Sequence, residues 1–66
     1  MMVSYFKIDT NEFKDIKELL TTEVWVKEDK NTGQYTVMHP NDDYLLDIVE
    51  LLDIRVHIHR ISFNLL

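Results

Sequence analysis

The stretch from Glu23 to His39 constrains this chain more than any other. Glu23 to Glu28 (Glu-Val-Trp-Val-Lys-Glu) and Gln34 to His39 (Gln-Tyr-Thr-Val-Met-His) both alternate apolar with polar residues, and Asp29-Lys30-Asn31-Thr32-Gly33 separates them. A period of two marks a strand with one buried face. Five intervening residues ending in glycine suit a type I turn closed by a left-handed residue, which joins two antiparallel strands. An isolated hairpin is marginal in water, so other parts of the chain must cover one of its faces.

The remaining segments supply the cover. Residues 2–8 (Met-Val-Ser-Tyr-Phe-Lys-Ile) are rich in aromatic and β-branched types and read as a strand. Asp9-Thr10-Asn11 ends it, and Asp9 with Glu12 has capping-box spacing. Phe13, Ile16, Leu19 and Leu20 then recur at helical intervals opposite Lys14, Asp15, Lys17 and Glu18, which predicts an amphipathic helix of about three turns. Pro40 closes the third strand. Asn41 is a good N-cap, and Asp42 and Asp43 place negative charge at the positive end of the helix dipole. The second helix presents Tyr44, Leu45, Ile48, Val49, Leu51 and Leu52 as its apolar set and stops at Asp53, a residue type that tolerates a left-handed C-cap. Ile54-Arg55-Val56-His57-Ile58 alternate strictly and predict the fourth strand.

The expected order is therefore β-α-β-β-α-β over a single domain, residues 1–66, of the α+β class. The economical packing is a four-stranded antiparallel sheet with both helices on one face. In element order the chain resembles the ferredoxin-like superfold at its minimum length. That superfold hosts many unrelated activities, so the resemblance implies an architecture and no function.

Composition removes several classes. With 66 residues the core must be thin, and the absence of cysteine removes disulfide frameworks and thiolate metal sites. No apolar run is long enough for a signal peptide or a membrane span, so a soluble, cytoplasmic protein is expected. The net charge of −5 opposes direct binding to a phosphate backbone. Charge is also uneven: residues 41–53 hold Asp42, Asp43, Asp47, Glu50 and Asp53 without a basic residue, whereas 54–66 hold Arg55 and Arg60 without an acid.

Alternation divides the strand residues between two faces. Phe6, Ile8, Val24, Val26, Ile54, Val56 and Ile58 form the natural covered set, which leaves Val3, Tyr5, Trp25, Arg55, His57 and His59 on the open side. Strand three is ambiguous, because Tyr35 with Val37 and Thr36 with Met38 are both partly apolar. Ile61, Phe63 and Leu65 fall in phase with His57 and His59 unless a bulge near Arg60 resets the register. An exposed apolar patch of this size marks an interface, with Tyr5, Trp25 and Phe63 as its anchors.

Other constellations compete with plainer explanations. His57 and His59 share one side of a strand, and His39 adds a third metal-capable nitrogen; ordinary surface histidines give the same pattern, so no cofactor or metal is expected. Asp43, Asp47 and Glu50 fall at i, i+4 and i+7, one acidic stripe that serves as a solvated face, as a divalent-cation site, or as a mimic of phosphate spacing competing for a basic groove. Tyr5 and Tyr35 resemble the stacking aromatics of RNA-binding sheets but lack the flanking glycines and basic residues. No phosphate loop or activated nucleophile is legible, Ser4 and Ser62 standing in no motif.

The expectation is a small acidic protein-interaction module without enzymatic activity, an inhibitor or adaptor of the kind phages and mobile elements encode. It would occupy a basic surface of a protein partner, or pair with itself as a homodimer through the open sheet face. The rival is a ligand- or metal-sensing ferredoxin-like homodimer with its site near His57 and His59. No direct nucleic-acid or membrane contact is expected in either case.

Overall fold

The computed structural model describes residues 2–20 and 23–62. Among these the elements are β1 (Met2–Asp9), α1 (Thr10–Ile16) continued by a 3-10 turn (Lys17–Leu19), β2 (Trp25–Asp29), β3 (Gln34–His39), α2 (Asp42–Leu52) and β4 (His59–Ser62). The strands form one antiparallel sheet in the order β2-β3-β1-β4, so the chain is an α+β protein with an open four-stranded sheet.

Local chemistry sets most boundaries. Asp9 caps α1 through a capping box: its Oδ1 accepts from the Glu12 N–H at 2.8 Å, and the Glu12 carboxylate accepts from the Asp9 N–H at 3.3 Å. In the hairpin turn the Gly33 N–H donates to the Asp29 carbonyl at 2.9 Å, and Gly33 takes φ 73°, a left-handed conformation that glycine adopts without steric cost. Asn41 caps α2 by accepting from the Asp43 N–H at 2.9 Å, and Asp53 closes it in the left-handed region at φ 52° and ψ 38°.

Both helices meet the sheet on the same side. Phe6 and Ile8 of β1, Val37 of β3, Ile16 of α1, and Leu45 and Ile48 of α2 form one buried cluster, with Phe13, Tyr35, Val49 and Leu52 packed against it. Register resolves the ambiguity of β3. Phe6 opposes Val37 and Ile8 opposes Tyr35, so Tyr35 and Val37 lie under the helices while Thr36 and Met38 face away. Tyr35 stacks on Phe13 with centroids 4.0 Å apart and planes 2° from parallel.

Several sequence expectations need correction: Val26, expected in the covered set, is 42% exposed, and Val3, expected on the open side, is fully buried. The fourth strand is His59–Ser62 rather than 54–58; Ile54, Val56 and Ile58 do pack on the core, but their segment joins no strand ladder among the described residues. Alternation records which side chains are buried, and it carries no information about which backbone groups find a ladder. Leu19 was expected in the core and is exposed, because the switch to a 3-10 turn, with about 3.0 residues per turn, rotates it off the buried stripe. Leu51 is 71% exposed. Six apolar residues on one helix span a wider arc than a single packed face can bury, and Leu51 lies at the arc's edge.

Candidate interaction surfaces

Three places in the molecule gather chemically distinctive side chains. The first is the outer face of α2. Leu45 and Ile48 point into the core, so Asp43, Asp47 and Glu50 fall on the opposite side of the helix, and all three are exposed. Consecutive members are one turn apart, and no basic residue stands in the last turn to neutralise them. Leu46 and Leu51 flank the stripe at 43% and 71% exposure. Two exposed leucines beside three carboxylates depart from the all-polar outer face that solvation alone requires.

The second is the sheet face turned away from the helices. Lys27, Thr36 and Lys7 form one cross-strand row over β2, β3 and β1, and Trp25, Met38 and Tyr5 form the next. On β4, His59 opposes Tyr5 and Ile61 opposes Val3, so no bulge separates them and Ile61 lies on this open side, as its phase predicts. Tyr5 stacks on His59 at 5.0 Å, and His57 meets His59 edge-on at 4.9 Å. Trp25 is 37% exposed and faces away from the helices. Phe63, expected to complete this patch, lies outside the described residues. Lys7, Lys27, Lys30, Glu28, Asp29 and Thr36 line a shallow depression of about 360 Å3 at the hairpin end.

The third site has no signature in the sequence. Ser4 is fully buried on the helix side, and its Oγ donates to Asp42 Oδ1 at 2.7 Å. Arg60 Nη1 donates to the same hydroxyl at 3.2 Å and forms an ion pair with Asp42. One hydroxyl thereby joins β1, the first residue of α2, and β4. Opposite Ser4 in β3 stands His39, also buried. Its Nδ1 accepts from the Asn41 N–H at 3.0 Å, its ring stacks on Tyr44 at 4.3 Å, and Nε2 lies 3.9 Å from Glu23. The imidazole is therefore directed at the α2 cap and Glu23, and the Ser4 proton goes to a carboxylate. Serine and histidine adjoin without forming a nucleophile and base pair.

Register also separates two groups of side chains that the sequence pattern brings together. His39 shares the helix side with Ser4 whereas His59 shares the open side with Tyr5, so the three histidines do not converge. No group of three or more His, Cys, Asp or Glu stands together among the described residues. Tyr35 is likewise on the opposite face from Tyr5, which dismantles the pair of stacking aromatics.

Two groups at the hairpin depart from ordinary ionisation. The Asn31 N–H, bonded to Asp29 at 2.9 Å, holds that carboxyl below its usual 3.8. The Tyr35 hydroxyl donates to Glu28 at 2.6 Å, which raises it above its usual 10.0. Among the described residues no helix is long and apolar enough to cross a membrane. No protein-family model, curated protein or solved structure matches this chain.

Proposed function

We propose that this chain is a small, non-enzymatic interaction module of the ferredoxin-like type that acts in the cytoplasm by laying α2 against a basic surface of a larger protein. The mode is that of an inhibitor or adaptor competing with a polyanion for its groove. The observation that carries the reading is the outward stripe of Asp43, Asp47 and Glu50 bordered by exposed Leu46 and Leu51. Carboxylates spaced about 6 and about 4.5 Å along a helix offer repeated negative charge to a row of lysines or arginines. The flanking leucines add apolar area that a polyanion lacks, and so favour one partner over basic surfaces in general. The strand order β2-β3-β1-β4 supports the ferredoxin-like assignment. The engagement of Ser4 by Asp42 and Arg60 supports a structural role for that hydroxyl.

The test is capture from lysate by the immobilised chain. The wild type should retain a basic protein that heparin displaces, and the variant carrying Asp43→Lys, Asp47→Lys and Glu50→Lys should retain at least about tenfold less of it. Equal retention by the reversed variant, with its circular dichroism unchanged, would overturn the reading.

A further inference from the structure

The acidic helix has a counterpart on its own molecule. Lys7 and Lys27 flank Thr36 across β1, β3 and β2, and Lys30 stands beside them at the edge of the same depression. Two acids line the same depression and keep their charge: Glu28 accepts from the Tyr35 hydroxyl, and Asp29 accepts from the Asn31 N–H and is held further toward its ionised form by Lys7. The ion pairs present among the described residues are His39–Glu23 and Arg60–Asp42, and neither involves these lysines. Three lysines against two carboxylates leave this depression slightly positive, on the side away from α2, in a chain of net charge −5.

We propose that this sheet face receives the α2 stripe of a second copy of the chain, giving head-to-tail association. Spacing supports the fit. Lys7 and Lys27 lie two strands apart, about 10 Å at a strand separation of about 4.8 Å. Asp43 and Glu50 are seven residues apart, about 10.5 Å along a helix rising 1.5 Å per residue. A helix laid across the strands sets one terminal carboxylate at each lysine and Asp47 above the Thr36 hydroxyl between them. The adjacent row of Trp25, Met38 and Tyr5 then offers an apolar bed to one of the flanking leucines, Leu51 being the more exposed.

The stripe and its receptor lie on opposite sides of one molecule, so neither can satisfy the other within a chain. The contact is heterologous, and copies add without closing on themselves unless the rotation forms a ring. At about 0.15 M salt, with a Debye length of about 8 Å, repulsion between whole chains is largely screened while carboxylate–ammonium contacts persist. This inference shares α2 with the partner-binding reading but adds a surface which that reading does not use. The two can therefore fail separately.

Light scattering on the eluting protein, from about 10 μM to about 1 mM, tests it over the range of weak affinities. The average mass should climb past that of two 7.9 kDa chains as concentration rises. The variant Lys7→Glu with Lys27→Glu, and separately Asp43→Lys with Asp47→Lys, should each remain monomeric with unchanged circular dichroism. Their equimolar mixture should regain the mass, because each reversed face then meets a reversed or native complement. The lysine variant should still capture a basic partner, whereas the carboxylate variant should not. A wild type that stays monomeric at about 1 mM overturns the proposal. So does a closed dimer indifferent to both reversals, or a mixture that fails to associate.

Discussion

On the face under the helices, Phe6, Ile8 and Val37 are buried, whereas on the opposite face their strand neighbours Tyr5, Lys7, Thr36 and Met38 keep part of their surface in water. The same three residue types occur on both sides: aromatic, aliphatic and hydroxyl-bearing. What differs is that Lys7 and Lys27 interrupt the open face, while on the covered face the polar residues Ser4 and His39 are gathered at one end and bonded there. A helix pair settles on the side that can be dried without stranding an ammonium group. Apolar content alone does not choose between two half-greasy faces; the cost of burying charge does.

The comparison can be broken most directly by emptying the covered side. Leu45→Ala should cost about 2–5 kcal/mol, a large share of what so small a domain has, and should shift its urea midpoint sharply. Ile61→Thr on the open side should cost less than about 1 kcal/mol. Equal losses in urea titrations would make the open face a second core and dissolve the distinction.

A smaller effect tests the polar end of the covered side. Ser4→Ala removes a hydroxyl but leaves Asp42 and Arg60 paired, and should cost about 1 kcal/mol. Asp42→Ala leaves the buried Ser4 hydroxyl proton without its acceptor and deprives α2 of an N-terminal acid, and should cost about 1–3 kcal/mol. The Arg60 pair is half-exposed and adds little on its own. If Ser4→Ala proved the more damaging, the hydroxyl would be packing rather than bonding.

The smallest effects belong to the hairpin and follow pH. Asp29 ionises more readily in the folded chain, so its contribution is fully present above about pH 4 and is lost as pH falls through its lowered value. Tyr35 holds its proton more tightly when folded, so its contribution is present below about pH 10 and is lost as pH rises through its raised value. Asp29→Asn should flatten the acid limb of a thermal-midpoint profile and Tyr35→Phe the alkaline limb. A profile unmoved by both substitutions would place the titration elsewhere.

Much of the fold was legible because its signals are short-ranged. Asp9 finds Glu12 three residues on, Asn41 finds Asp43 two residues on, and Gly33 finds Asp29 four residues back. The acidic stripe was legible for the same reason, since one helix carries all three carboxylates and the same helix buries Leu45 and Ile48 behind them. The leucines bordering it were not. Leu51 reads as core from its type, and only the position of the packed arc exposes it.

From the sequence alone came the order of elements, the hairpin turn and the caps, each decided by groups a few residues apart whose geometry no distant partner can alter. Tertiary structure decided where β4 pairs, which side Tyr35 and Met38 take, and how Ser4, Asp42 and Arg60 meet across separations of 38 and 56 residues. It also set lysines opposite the acidic helix. Those outcomes depend on which contacts exclude water at least cost, a comparison among alternatives that no local pattern contains.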